Sequence, residues 1–141
     1  MDQHKNALGP GYKLHWYQIR EILGQGGFGI TYLAQDDNLN QPVAIKEYLP
    51  VVLAVREGAA SVHPVSGEHG EQFLWGLDRF INEAQTLARF KHPNIVRVLT
   101  VFKENNTAYM VMEYEQGRPL HEILKDKKFH TEEELKGIFL P

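Results

Sequence analysis

Cysteine is absent from this chain of 141 residues. A disulfide framework and a thiolate zinc site are therefore excluded, and the absence suits a reducing cytosol, so we expect a cytoplasmic protein. Seven histidines are present, but none follow the spacing of a zinc motif such as H-E-x-x-H. We therefore assign no metal site.

Strong net charge and long apolar runs are also missing. The formal net charge of −3 gives no general attraction for nucleic acid or anionic membranes, and we expect neither as a partner of this segment. No apolar run approaches the length that spans a bilayer, and the polar N-terminus lacks the apolar core of a signal peptide. What remains is one domain, large enough to bury roughly 68% of its unfolded surface.

Two motifs stand one predicted strand apart. Gly24, Gly26 and Gly29 are spaced G-x-G-x-x-G, and Val43-Ala44-Ile45-Lys46 follows. The glycine spacing also opens dinucleotide-binding domains, in which a helix begins within the glycines and holds the pyrophosphate at its N-terminus. Here the β-branched and aromatic run at residues 30–34 predicts a strand instead. The predicted strand therefore argues against a dinucleotide-binding domain, and we rank that interpretation below the three functions named at the end of this section.

The remaining pattern predicts an α+β fold. After a flexible lead over residues 1–13, we expect five strands at 14–23, 29–35, 42–49, 95–103 and 108–114. Residues 50–70 are read as an insertion that begins with a helical turn and continues as a loop or small hairpin. One long helix follows, because its apolar residues recur at helical spacing: Phe73, Leu77, Phe80, Ile81, Ala84, Leu87 and Ala88. These elements indicate a five-stranded twisted antiparallel sheet with the helix packed on one face.

A hairpin roofed by a glycine loop, with a lysine on the next strand, is the phosphate-handling layout of protein kinases. Residues 17–141 resemble the N-terminal lobe of a eukaryotic-like Ser/Thr protein kinase, and the run IKEYLP at residues 45–50 is most similar to bacterial members. Nothing after Tyr114 resembles the H-R-D-x-x-x-x-N catalytic loop or the D-F-G motif. The resemblance implies a kinase N-lobe over residues 14–117 and the start of a C-lobe over 118–141, truncated in a helix.

The resemblance also implies an ATP site. Lys46 would contact the α- and β-phosphates and pair with Glu83, while Phe28 would fold over the phosphates. Met112 would be the gatekeeper, and Thr31 stands where the family usually has valine. The Glu113 carbonyl and the Glu115 N–H would form hydrogen bonds with the edge of the adenine base. Mg²⁺ would be held by residues of the missing lobe. The residues expected around the nucleotide are Leu23, Gly24, Gly26, Gly27, Phe28, Gly29, Thr31, Ala44, Lys46, Val96, Met112, Glu113 (carbonyl) and Glu115 (N–H).

Three functions remain open at this point. The chain is the ATP-binding lobe of an active Ser/Thr kinase, a pseudokinase or regulatory lobe without phosphotransfer, or a non-enzymatic interaction module. We expect no phosphotransfer by this chain alone and only weak nucleotide affinity, because the catalytic base, the metal ligands and half of the adenine cleft would belong to the other lobe. The apolar residues Ile138, Phe139 and Leu140 favour self-association.

Overall fold

The computed structural model describes residues 6–56, 60–89 and 97–114. Strands β1 to β8 and helix α1 occur in chain order, with a 3₁₀ turn at Gly67–His69 directly before the helix. Their bounds are β1 Lys13–Leu14, β2 Tyr17–Gln25, β3 Gly29–Asp36, β4 Gln41–Tyr48, β5 Ala54–Arg56, β6 Val62–Pro64, α1 Gly70–Ala88, β7 Val98–Glu104 and β8 Thr107–Glu113. Six strands form one antiparallel sheet in the order β1-β2-β3-β4-β8-β7, and β5 pairs with β6. The predicted fold class, an antiparallel sheet with one long helix, is confirmed.

The sheet has a sixth strand because the first predicted strand is divided. His15 has a positive φ of 57°, which turns the chain so that Leu14 on β1 pairs with Tyr17 on β2. Residue patterns give little warning of such a turn, since left-handed backbone is uncommon for a residue other than glycine. The prediction of one continuous strand over residues 14–23 was therefore wrong at its start.

Two apolar clusters pack against the sheet, and helix α1 contributes to both, with Leu87 in the smaller and Phe73 and Leu77 in the larger. The smaller cluster consists of Ala44, Leu87, Val98 and Met112, with Leu23, Met110 and Tyr114 packed at its margin. The larger cluster includes Ile45 and Val43 of the same strand β4. Because side chains alternate along a strand, Lys46 lies on the face of the smaller cluster and Glu47 lies on the opposite face.

Helix α1 follows the predicted apolar stripe. Phe73, Leu77, Ala84 and Leu87 are buried, whereas Ala88 at the helix end is exposed. Helix α1 ends at Ala88, and the Arg89 N–H caps it by donating to the Thr86 carbonyl at 3.1 Å. None of the helices among the described residues combines the length and apolarity needed to cross a membrane.

The lead and the insertion both contribute to the larger cluster. Leu8 is 4% exposed, and its N–H donates to the Tyr32 hydroxyl at 3.0 Å. The insertion begins with a helical turn, in which the Ala54 N–H donates to the Pro50 carbonyl at 2.9 Å, and continues as the β5–β6 hairpin. The domain bounds stay predictions, and residues 118–141 lie outside the described part of the chain.

Candidate functional site

The glycine loop between β2 and β3 has two kinds of glycine. A methyl group built at Gly24, Gly26 or Gly27 would meet no atom beyond the adjoining residues within 4 Å. At Gly29 the same group would lie 2.1 Å from the backbone oxygen of Glu47. The first three glycines therefore leave open space beside the backbone, where an anionic group can approach. The Gly26 N–H itself donates to the Gly29 carbonyl at 2.9 Å. Gly29 is required by the close approach of β3 to β4.

The tip of this loop is fastened to the chain that follows β4. The Leu49 N–H donates to the Phe28 carbonyl at 2.9 Å, and the Val51 N–H donates to the Gly27 carbonyl at 3.0 Å. The Phe28 side chain itself is 74% exposed. Position and hydrogen bonding of the loop backbone are thus set partly by the first residues of the insertion.

Lys46 lies in line with the glycine loop across the sheet. Gly24 pairs with Thr31, and Thr31 pairs with Lys46, so the loop and the lysine are separated by two strand spacings, roughly 10 Å. Lys46 is partly buried. A partly buried lysine near glycines with free space beside their backbone provides positive charge where a phosphate chain could lie.

Glu83, the predicted partner of Lys46, forms an ion pair on its own helix. Arg79 Nη2 lies 3.1 Å from Glu83 Oε2, one turn away, and both side chains are about half exposed. The Arg79 guanidinium also lies over the Trp75 ring, 5.0 Å from its centre. The pairing of Lys46 with Glu83 stays a prediction.

The predicted adenine-lining residues converge at one end of the smaller cluster. Leu23 packs at the margin of Ala44 and Met112, and Met112 is paired in register with Ala44 on β4. Glu113 ends β8 on the exposed side, and its N–H donates to the Arg97 carbonyl at 3.0 Å. Two further predicted residues, Val96 and Glu115, lie outside the described residues.

A buried polar cluster behind the lysine was missed by the sequence analysis. Glu47 is fully buried and accepts hydrogen bonds from the Tyr32 hydroxyl at 2.7 Å and the Tyr109 hydroxyl at 2.6 Å. Arg56 of the insertion pairs with the same carboxylate. Strand alternation alone places Glu47 on the face opposite Lys46. Its partners Tyr109 and Tyr32 are distant in sequence, and no local pattern identifies them.

Arg56 extends this cluster to two more segments. Its Nε donates to the Ala60 carbonyl at 2.7 Å, and its Nη1 donates to the Asn6 carbonyl. Burial lowers the pKa of Arg56, but the hydrogen bond and charge of Glu47 outweigh burial, and the pKa is raised. Burial first, and then the charge of Glu47, raises the pKa of Tyr32 and of Tyr109. Both tyrosines therefore remain hydrogen-bond donors over the whole physiological pH range.

No group of three or more acidic or histidine side chains in the described ranges could hold a metal ion. The candidate site thus combines open space at the glycine loop, a partly buried lysine and an apolar cluster, with a buried ion pair on the opposite face of β4.

The family model and the curated proteins that this chain resembles are those of protein kinases. The family model described as "Protein kinase domain" matches residues 17–140. The serine/threonine-protein kinase PksC of Streptomyces coelicolor is 36% identical over 114 residues, which are 78% of this chain and 17% of that protein. PrkC of Bacillus subtilis is 32% identical over 120 residues, 84% of this chain and 16% of its own length. The chain therefore spans less than a fifth of these relatives.

Solved structures give the same fold. The structure titled "PpkA-294 apo form" superposes with a TM-score of 0.78 and 40% identity, covering 89% of this chain and 45% of that one. The kinase domain of Mycobacterium tuberculosis PknI superposes with a TM-score of 0.55 over 77% of this chain and 36% of its own, at 23% identity. At that identity, the likeness to PknI concerns the fold alone.

Proposed function

Because the chain belongs to the protein kinase domain family, we propose that it is the ATP-binding lobe of a Ser/Thr kinase. When complete, that kinase transfers the ATP γ-phosphate to serine or threonine hydroxyls of proteins. The observation that carries this proposal is the open glycine backbone aligned through Thr31 with Lys46. We also propose that the protein is cytoplasmic. ATP is supplied there, and the reducing conditions cost no disulfide in a chain without cysteine.

The residues present fit ATP. Loop N–H groups and the Lys46 ammonium would neutralise phosphate charge, and Leu23, Ala44 and Met112 supply the apolar walls that an adenine ring requires. When bound, Mg²⁺ supplies further neutralisation of the phosphates. We place its ligands with the D-F-G motif, which this sequence does not contain.

Glu83 is proposed as the residue that orients Lys46. A carboxylate beside the ammonium keeps it charged and fixes its direction. To serve in this way, Glu83, which pairs with Arg79 on its own helix, would exchange that exposed partner for Lys46. An exposed pair of this kind is weak, on the order of 0.3–0.5 kcal/mol, and offers little resistance to the exchange.

A second candidate is a regulatory lobe that binds nucleotide without phosphotransfer. The Arg79–Glu83 pair favours it, since Glu83 already has a partner on its own helix. In either case, we expect this chain alone to bind nucleotide weakly and to transfer no phosphate. The expected self-association through residues 138–140 also remains a prediction.

The test is a titration of the isotopically labelled chain with Mg²⁺-ATP, followed by amide NMR. Shifts should be concentrated at residues 24–29 and around Lys46. Lys46→Met should weaken binding about tenfold or more, because a charged contact to phosphate is lost. The control is Lys13→Met, which removes an exposed lysine paired with Asp37.

Two outcomes contradict the proposal: no saturable binding at millimolar nucleotide, or equal affinity in Lys46→Met and the unmodified chain. Phosphotransfer from radiolabelled ATP by the longer protein that contains this lobe separates the two candidates. Transfer that Lys46→Met abolishes identifies an active kinase, whereas nucleotide binding without transfer identifies a regulatory lobe.

A further inference from the structure

The insertion contacts one of the two phosphate-binding elements directly. The N–H groups of Leu49 and Val51 hold the carbonyls of Phe28 and Gly27, at 2.9 and 3.0 Å. These are main-chain bonds to the tip of the glycine loop, so the loop follows the conformation of the segment just after β4. Any movement of this segment moves the loop backbone with it.

The same segment is closed by a buried ion pair. Glu47 and Arg56 stand nine residues apart, and their side chains are 0% and 6% exposed. Leu49 and Val51 lie between them in the chain. Closing a short segment at both ends removes most of its conformational freedom, so the two N–H groups that hold the loop are fixed in place.

The far side of the insertion is fastened to the sheet as well. The Val62 N–H donates to the Asn105 carbonyl at 2.9 Å, and the Asn106 side chain donates to the Val62 carbonyl at 2.7 Å. Both asparagines form the β7–β8 turn and have positive φ angles. The insertion therefore bridges β4 to the β7–β8 turn, and Arg56 reaches across it to Asn6 of the lead.

Building on the kinase function proposed above, we propose that Arg56 and Glu47 are positioning residues for the ATP phosphates. Their pair holds the insertion against β4, and the insertion holds the glycine loop. Glu47 adjoins Lys46 on the opposite face of the strand. The pair thus fixes both the loop and the strand that carries the lysine, and so sets the distance between the two groups that grip the phosphates.

The test compares Mg²⁺-ATP with adenosine, which has the base and sugar but no phosphate. The main variant is the double replacement Glu47→Gln with Arg56→Met, which removes both charges. The amide oxygen can still accept from one of the two tyrosine hydroxyls, and the amide NH2 can donate to the other. We expect ATP affinity to fall roughly fivefold or more while adenosine affinity stays unchanged. A merely structural role would lower both affinities together or neither.

Hydrogen exchange provides a second readout that needs no nucleotide. In the double variant, the amides of Leu49 and Val51 should exchange roughly tenfold faster, because the segment that presents them is no longer closed. The matched control removes an exposed pair of the same charges, Lys13→Met with Asp37→Asn, and should change neither exchange nor the ratio of affinities.

A less severe variant covers the case in which the double variant fails to fold. In Arg56→Lys, the ammonium can still pair with Glu47 but cannot also reach the carbonyls of Ala60 and Asn6. It should show a smaller loss of ATP affinity in the same direction. An unchanged ratio of ATP to adenosine affinity in a folded variant, or unchanged exchange at Leu49 and Val51, overturns the proposal. Failure of the unmodified chain to bind ATP contradicts the proposed kinase function instead. In that case, hydrogen exchange at Leu49 and Val51 still tests whether the Glu47–Arg56 pair fixes the segment between them.

Discussion

At the scale of single residues, one carboxylate organises three distant parts of the chain. Glu47 receives hydrogen bonds from strands β3 and β8 and from Arg56 of the insertion. A buried charge is tolerated only when its lone pairs are satisfied and an opposite charge lies beside it. The two tyrosines are therefore required as neutral donors, and this requirement has a consequence at alkaline pH.

We predict that the free energy of unfolding falls as the pH rises above 10. Burial and the charge of Glu47 raise the pKa of Tyr32 and Tyr109 above the ordinary 10.0. Above that pH the unfolded chain releases protons that the folded chain keeps. The stability that these two protonated tyrosines contribute is thus fully present below pH 10. As the pH rises from there toward the folded-state pKa, the free energy of unfolding falls by about 1.4 kcal/mol per pH unit for each tyrosine.

Urea unfolding from about pH 8 to about pH 11 measures this slope. Tyr32→Phe should remove one tyrosine's share of it. An identical slope in Tyr32→Phe and the unmodified chain would show that Tyr32 does not stay protonated in the folded state.

At the scale of elements, one aromatic residue of β4, Tyr48, makes a close contact between the sheet and helix α1. The Tyr48 hydroxyl donates to the Phe73 carbonyl at 3.0 Å, and the Tyr48 ring packs against Phe73 and Phe80. Gly76 faces the same hydroxyl, because a methyl group there would lie 2.2 Å from it. The helix can approach the sheet this closely only with glycine at that position.

Gly76→Ala should therefore destabilise the protein by about 1–3 kcal/mol, although alanine is the better helix former. Thermal unfolding measures the loss. Tyr48→Phe should relieve part of it in the double variant, since the hydroxyl that meets the new methyl is gone. Gly70→Ala in the same helix has open space and should be neutral or stabilising. Equal effects at both glycines would rule out this contact as the cause.

The sequence predicted those elements whose signal is local. The 3.6-residue stripe of α1 and the strand pairs around the glycine loop follow from periodicity and turn residues. The break at His15 does not, since it depends on one backbone angle. In the candidate site, Lys46 and the glycines were identifiable from spacing. Leu23 packs with Ala44 and Met112, and their role around an adenine ring stays a prediction. The ion pair of Glu47 with Arg56 depends on tertiary packing, so no local sequence pattern could predict it.

At the scale of the whole molecule, the described part of the lead, residues 6–13, is packed into the folded body. Leu8 lies in the larger cluster, and its N–H reaches the Tyr32 hydroxyl, which in turn donates to Glu47. Arg56 adds a bond to Asn6. Lead, insertion and sheet thus share one buried network, and a lead of this kind should unfold together with the sheet rather than before it.

Leu8→Ala should accordingly lower the global free energy of unfolding by about 2–5 kcal/mol, the usual cost of truncating a buried leucine. Leu39→Ala is the matched control, since Leu39 is 67% exposed and its truncation should cost about 0.5 kcal/mol or less. The two tryptophans allow the test to be made at two places, because Trp16 follows the lead and Trp75 lies on α1. With each tryptophan kept in turn, denaturant unfolding of Leu8→Ala should shift both fluorescence transitions equally. A shift seen by Trp16 alone, or a loss no larger than that of Leu39→Ala, would mean that the lead is an independent segment, as the sequence first indicated.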